Sequence, residues 1–437
     1  MGLRERVALE WLDISGQLRM LWYIDRFLGG RPHSAATCLT ERAASHRDHL
    51  ALLYADERYT WREVDQRVNR YVSFFRRRGI AKGDVVALLM DNRPDFVFIT
   101  LGLNRLGAVA ALINTNIIGA GLVHAINIAK PKLAVIGAEH LDAVTAIADD
   151  LAVAEGQLLC HVEGSDEVAL SEGFERIDRI VLAESSEPPS GLPPANSSDV
   201  MCYIYTSGTT GLPKAAIISN RRFLAAAYLF GASIMEATPR DVIYVALPLY
   251  HSSAMYAGLG AALGSGAAVA LRRKFSASHF WKDVVTYDAS IFLYIGEVCR
   301  YLLNTPESAV ERGHRIRLGV GNGLRPDVWE RFQRRFNVPL IREFYGATEG
   351  NAPIVNFAGK PGMVGRLRPG QVLVRCDETT GELVRDSRGF CIEVGPREKG
   401  ILLGKINKLF SFDGYVDESA TKKKIVENVF APGDTYF

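Results

Sequence analysis

The sequence predicts an α/β protein built from two doubly wound α/β lobes followed by a small β subdomain. Three observations carry this. Short apolar runs at 85–90, 109–113 and 133–136 alternate with helical patterns, as parallel strands buried on both faces do. A polar connector rich in proline and serine, 184–199, separates this series from a second one with apolar runs at 242–247, 267–271 and 291–294. From Gly359 onward glycines become frequent and short alternating runs such as Gln371–Val374 replace the helical patterns.

The elements follow in order. Residues 1–44 form an N-terminal helical arm. Leu3, Val7, Trp11, Ile14, Leu18 and Leu21 recur at helical spacing, interrupted by Glu5, Glu10, Asp13 and Asp25 against Arg4, Arg6, Arg19 and Arg26. That is an amphipathic helix and not a membrane span. In the first lobe, 45–199, Thr60 caps a helix running through Val64, Val68, Tyr71, Phe74 and Phe75, with Gly79 and Gly83 at its end. Asn92 or Asp95 starts the next helix, through Phe96, Ile99 and Leu103, and another lies near 119–128. The second lobe is 200–360. Its stretch 242–271 has no formal charge and is long enough to cross a bilayer. Pro248, His251, Ser252, Ser253 and the glycines break it into strand, loop, helix and strand. Residues 361–437 make the β subdomain.

Composition narrows the function. Across 437 residues, 48% hydrophobic and 23% charged residues read as an ordinary folded chain of more than one subdomain. A net charge of +2 gives no support to nucleic acid as a partner. Cysteines 38, 160, 202, 299, 376 and 391 form no C-x-x-C pair or metal spacing, so each reads as a small buried residue in a reducing setting.

One loop carries the chemistry. The apolar run 201–205 feeds Thr206-Ser207-Gly208-Thr209-Thr210-Gly211-Leu212-Pro213-Lys214. Glycines let backbone N–H groups converge, the hydroxyls add donors, and Lys214 adds a charge, which together suit a polyphosphate. It is not the common P-loop, because Pro213 precedes the lysine and Ala215 follows it.

This loop resembles the phosphate-binding signature of the adenylate-forming enzymes. Glu343-Phe344-Tyr345-Gly346-Ala347-Thr348-Glu349-Gly350 resembles that superfamily's Y-G-x-T-E block, and Gly319-Val320-Gly321-Asn322-Gly323-Leu324-Arg325-Pro326 its adenine-pocket turn. The wording from Asn322 to Trp329 and from Phe344 to Asn351 is most similar to the fatty acid transport protein and very-long-chain acyl-CoA synthetase branch.

The resemblance implies the N-terminal domain of the adenylate-forming fold and the cofactors ATP, Mg²⁺ and CoA as co-substrate. A fatty acid is activated to acyl-AMP and then to acyl-CoA. Thr206, Ser207, Gly208, Thr209, Thr210, Gly211 and Lys214 are expected to hold the β- and γ-phosphates, and Thr348 to reach the α-phosphate. Glu349 is the expected Mg²⁺ ligand. Tyr345 would stack on adenine beside Gly346, with Gly321, Asn322 and Gly323 lining the adenine and acyl-carbonyl side. His251 is expected at the acyl mouth, with Tyr250, Ala254 and Met255 along a tunnel that Gly258, Gly260, Ala261 and Gly264 could widen. The same pattern is equally that of plain core packing.

By resemblance, full-length relatives continue past Phe437 with a ribose-binding aspartate and a mobile C-terminal domain. The chain is therefore expected to be an N-terminal-domain fragment that binds ATP and fatty acid but is deficient in turnover. The setting expected is cytoplasmic, with peripheral contact on the inner face of the cell membrane through residues 1–30. Oligomeric state stays open. Two other functions remain alternatives: fatty acid uptake and trapping at the membrane, and a fatty acyl-AMP ligase that stops at the adenylate.

Overall fold

The computed structural model describes residues 33–154, 156–164, 168–206, 211–407 and 412–437, together with 11, 14–16 and 18. Two parallel sheets form the body. The first has seven strands in the order Phe174–Arg176, Leu158–His161, Leu133–Gly137, Val85–Leu89, Val109–Leu112, Val200–Thr206 and Lys214–Ser219. Only the last pair in that row is antiparallel. The second has eight strands: Ile354–Asn356, Ile341–Tyr345, Leu318–Asn322, Ile291–Ile295, Val242–Val245, Ala268–Leu271, Leu50–Tyr54 and Glu57–Thr60. Its six central strands are parallel and an antiparallel strand closes each edge. Strand centres such as Val85–Leu89 and Ala268–Leu271 are wholly buried, as strands covered by helices on both faces must be.

Local chemistry sets the helix starts. Thr60 accepts from the Glu63 amide while Glu63 returns a bond to the Thr60 amide, so the expected cap is a full capping box. The next helix starts at Pro94, with Arg93 as its cap residue, and not at Asn92 or Asp95. Proline suits a first turn because its missing N–H would have had no helical partner there. The uncharged stretch divides as expected, into strand Val242–Val245, helical turns over 252–265 and strand Ala268–Leu271. Among the described residues no helix is long and apolar enough to cross a membrane. Most of the N-terminal helical arm lies outside the described residues. Of its apolar stripe, Trp11, Ile14 and Leu18 are seen, helical and exposed.

Chain order and sheet membership diverge. Strands within 50–60 belong to the eight-stranded sheet, although the sequence groups them with the first lobe. Strands within 200–219 belong to the seven-stranded sheet, although the sequence groups them with the second. The division at 199/200 follows the polar connector, whereas partner choice is set by long-range pairings such as Leu52 with Val269 and Ala111 with Tyr203. Among the described residues the C-terminal part holds two small antiparallel ribbons, Gln371–Val374 with Ile401–Gly404 and Val426–Glu427 with Thr435–Tyr436, and a short helix, Glu418–Lys422. The ribbons share a core of Val372, Val374, Cys391, Leu403, Val429 and Tyr436.

Strand order reverses twice, once in each sheet. After Val85–Leu89 the chain pairs on one side through Val109–Leu112 and then on the other through Leu133–Gly137. After Val242–Val245 it does the same through Ala268–Leu271 and Ile291–Ile295. The carboxyl end of the first reversal is filled by charge. Asp91, 2% exposed, meets His140 Nε2 at 3.2 Å, Arg273 Nε at 3.2 Å and Lys274 Nζ at 3.1 Å. Arg93, fully buried, pairs with Glu139 at 2.5 Å. Beside them Asn92 donates to the Leu247 carbonyl at 2.9 Å and accepts from the Leu249 amide at 2.7 Å. The first reversal is thus spent on joining the lobes.

Burial would raise the Asp91 carboxyl, but the Lys274 and Arg273 contacts outweigh it and hold it below the usual range. A depressed carboxyl contributes stability above its unfolded value, and that contribution is lost as pH falls through its folded value. Asp91→Asn is therefore expected to lower the thermal midpoint near neutral pH. The gap to the parent protein should close as pH falls below about 4. Scanning calorimetry of both proteins across that range checks it.

Candidate functional site

The candidate site gathers at the carboxyl ends of the strands, where open α/β sheets bind ligands. Thr206 ends strand Val200–Thr206 and pairs directly with Lys214, the first residue of the antiparallel return. The hairpin thus holds both ends of the glycine–hydroxyl loop side by side. Gly211 has φ +86°, a conformation that suits glycine. Ser207, Gly208, Thr209 and Thr210 lie outside the described residues.

The block after strand Ile341–Tyr345 faces this hairpin. The Thr348 carbonyl accepts from Arg222 Nε at 3.2 Å and Nη2 at 2.9 Å, and Arg222 also donates to the Gly350 carbonyl. One guanidinium therefore fixes the backbone on both sides of Glu349. The Thr348 hydroxyl lies 2.9 Å from the Ser252 hydroxyl. Ser252 follows His251, so Thr348 and the expected acyl mouth are brought together. Glu349 accepts from the Tyr415 phenol at 2.6 Å.

The adenine-side residues depend on close backbone approach. Gly321 and Asn322 end strand Leu318–Asn322, and Gly323 turns away with φ +76°. A Cβ on Gly321 would lie 2.2 Å from the Tyr294 carbonyl oxygen, so a larger residue could not sit here without moving backbone. The buried Glu343 carboxylate props this turn, accepting from the Leu324 amide at 2.6 Å and the Tyr294 phenol at 3.3 Å. Burial pushes that carboxyl above its ordinary value. Tyr345 is half exposed at its strand end, and the space beside Gly346 is open, which leaves the ring a face for a ligand.

On the acyl side the structure separates two kinds of residue. His251 is exposed, and its ring centroid lies 4.6 Å from that of Tyr250. Tyr250 is buried and accepts from Asn116 at 2.9 Å, while Ala254 and Met255 are fully buried. The glycine stripe is occupied by packing. A Cβ on Gly258 would meet Val245 at 3.0 Å, on Gly260 would meet Ala227 at 3.1 Å, and on Gly264 would meet the Ala227 carbonyl at 3.3 Å. These glycines let the helical turns pack on strand Val242–Val245 and on the helix Asn220–Tyr228. An apolar cavity of about 20 Å³ between Leu249, Leu259, Ala262, Trp61 and Leu101 has room for little more than one water.

Three contributors are not legible as motifs: Arg222, Ser252 and Tyr415. Ser252 could be suspected from its place after His251. Arg222 and Tyr415 act across 126 and 66 residues of sequence and leave no local pattern. Tyr415 reaches the site because the chain around it adds to the edge strand. Ile217 donates to the Gly414 carbonyl at 2.9 Å, and Val416 donates to the Ala215 carbonyl at 3.0 Å. Asp413 accepts from the Ser219 amide and hydroxyl at 3.1 and 2.7 Å.

Glu349 presents a carboxylate to Tyr415, whose phenol also meets the Thr206 hydroxyl, and the preceding residue, Thr348, adds a further hydroxyl. Hard oxygen donors of this kind fit Mg²⁺, which also accepts phosphate oxygens.

The chain belongs to the AMP-binding enzyme family, whose family model matches residues 39–403. It is 41% identical over 416 residues to long-chain fatty acid transport protein 1 of Mus musculus, covering 92% of this chain and 63% of that protein. It is 35% identical over 410 residues to the medium/long-chain-fatty-acid–CoA ligase FadD6 of Mycobacterium tuberculosis, covering 93% and 66%. The chain thus spans somewhat less than two thirds of the length of these relatives.

Among solved structures it is similar to an anthranilate CoA ligase in complex with anthranoyl-AMP, with TM-score 0.78, 20% identity, and 93% of this chain and 76% of that one covered. It is similar also to the N-terminal domain of FACL13 from Mycobacterium tuberculosis, with TM-score 0.73, 20% identity and coverage of 92% and 98%. The expected fold is therefore the observed one: two α/β lobes and a small β subdomain of the adenylate-forming type.

If the Arg222 fork fixes the Thr348–Gly350 backbone, Arg222→Lys keeps the charge but loses the fork. The expected outcome is a folded protein by circular dichroism whose ATP affinity falls about tenfold. Titration calorimetry reads it.

Proposed function

We propose that this chain provides the nucleotide and acyl sites of an ATP-dependent ligase for long- or very-long-chain fatty acids, forming acyl-AMP and then acyl-CoA. One observation carries this reading. The phosphate-loop ends Thr206 and Lys214, the Thr348–Glu349 block and the His251–Ser252 turn are joined by one run of contacts, in part through Tyr415, although they come from separate parts of the chain. The fatty substrate class rests on the relatives, which are named for fatty acid transport and fatty acid ligation.

In this reading Lys214, Thr206, Gly211 and the loop between them hold the β- and γ-phosphates, and Thr348 the α-phosphate. Tyr345 stacks on adenine against Gly321, Asn322 and Gly323. Mg²⁺, when bound at Glu349, supplies charge neutralisation at the phosphates. The carboxylate nucleophile is ionised near neutral pH and needs no general base. His251 accordingly orients the carboxylate at the mouth. Tyr250, Ala254 and Met255 form the wall behind it, and CoA is the second acceptor of the acyl group. The chemistry asked of these side chains is positioning and electrostatic stabilisation.

Lys214→Ala is expected to leave the fold intact and to weaken ATP·Mg²⁺ binding by about 1.5–3 kcal/mol, the range of a charge-assisted contact. Titration calorimetry on both proteins tests the site, and pyrophosphate release with a panel of fatty acids tests the substrate class. Unchanged affinity in the variant sinks the phosphate assignment.

A second reading has its own observation. Trp11, Ile14 and Leu18 are exposed at helical spacing, 65%, 49% and 55% respectively. An exposed apolar stripe of this kind suits the surface of a membrane, and uptake coupled to activation would use it. Co-sedimentation with neutral and anionic vesicles should recover residues 1–437 in the pellet more fully than 31–437. Equal recovery assigns the stripe to the protein itself.

A further inference from the structure

We infer that Tyr415 is a positioning residue for the divalent-cation ligand Glu349, so that the metal ligand and the phosphate-binding lysine are set by a single phenol. The inference rests on the nucleotide reading given above and deepens it.

The geometry has three parts. The Tyr415 hydroxyl donates to Glu349 Oε1 at 2.6 Å, a short charge-assisted bond. The Lys214 ammonium stands 5.8 Å from the centroid of the same ring, over its face. The Thr206 hydroxyl lies beside the same phenol. Tyr415 thus touches both ends of the phosphate hairpin and the metal ligand. Lys214 and Glu349 meet through the ring, not in a direct ion pair among the described residues. A direct pair would neutralise the two charges against each other, and each is needed toward a ligand of opposite sign.

The side chain is fit for this. It is 4% exposed, and the residues on either side of it, Gly414 and Val416, are hydrogen-bonded to strand Lys214–Ser219. The strand that positions Lys214 therefore also positions the phenol. A phenol is a neutral donor near neutral pH, so it can hold a carboxylate without competing for its charge. A glutamate on a loop has several side-chain torsions to immobilise before it can hold a cation. One fixed donor removes most of that freedom and leaves the remaining oxygen lone pairs for the metal.

The test is a set of ATP titrations, with Mg²⁺ and with chelator, on parent, Tyr415→Phe, Glu349→Gln and the double variant. Phenylalanine keeps the ring, its contact with Phe412 and the face toward Lys214. Tyr415→Phe is expected to reduce the Mg²⁺-dependent tightening of ATP about tenfold while changing affinity in chelator less than about twofold. On the Glu349→Gln background the same change should add nothing, since the phenol acts through that carboxylate. Glu349→Asp is the second variant, should Tyr415→Phe fail to fold. It keeps the charge but draws it away from the phenol, and the same loss of tightening is expected. Full Mg²⁺ tightening in Tyr415→Phe, or in Glu349→Asp where that variant is used, overturns the positioning role alone. An equal loss with and without Mg²⁺ also overturns it and assigns Tyr415 to packing. A parent protein that binds no ATP·Mg²⁺ overturns the nucleotide reading and this inference with it.

Discussion

The immediate antiparallel return at Thr206–Lys214 is the constraint on which the rest of the site depends. Five of the six strand pairings in that sheet are parallel, and parallel neighbours need long crossovers. Here the chain turns back at once, so a short loop is held at both ends at the sheet's carboxyl edge. The return also makes Lys214–Ser219 an edge strand. An edge exposes unpaired backbone groups, and the segment from Asp413 to Val416 pairs with them. That pairing brings Tyr415 to Glu349. Arg222, in the helix that Ser219 caps, reaches the backbone on either side of the same glutamate.

The two sheets share a topology but not a use for it. In each, strand order reverses once and leaves a crevice. The first crevice is closed by Asp91, Arg93, Glu139 and the cations from the second sheet, with Asn92 bonded across to Leu247 and Leu249. Buried charge is costly unless paired; Arg93 is paired within the first lobe, by Glu139, and Asp91 also across the lobes, by Arg273 and Lys274. The residues just after Leu249 are Tyr250, His251 and Ser252. The junction that closes one crevice therefore also fixes the lip of the other.

What the sequence revealed follows from how local each signal is. The parallel strands were legible because burial on both faces removes polar residues from a short run, as in Val85–Leu89. The loop from Thr206 to Lys214 and the block around Glu349 were legible because glycine, hydroxyl and charge lie within a few residues. Sheet membership was not, because nothing within Leu50–Tyr54 indicates that its parallel partner begins at Ala268. The acyl wall was legible only as apolar and small. The Gly258–Gly264 stripe fits helix contact and open space equally well, and only the positions of Val245 and Ala227 decide between them. Tyr415 and Arg222 owe their roles to pairings made after the chain has folded.

The pairing of Leu52 with Val269 has a consequence for how the protein is made. An early hairpin, Leu50–Tyr54 with Glu57–Thr60, must wait for a strand more than two hundred residues later before its inner edge is covered. The seven-stranded sheet can close in the meantime, except that its hairpin edge is finished only by residues near 415. At about 5–20 residues per second on the ribosome, the inner edge of the first strand stands uncovered for roughly ten to forty seconds. During that interval its apolar residues are available to other chains. Contacts this distant in sequence also slow refolding, because the closure entropy is lost before the sheet repays it. The interleaving that unites the two lobes thus leaves an uncovered strand edge on the nascent chain until its partner strand has been synthesised.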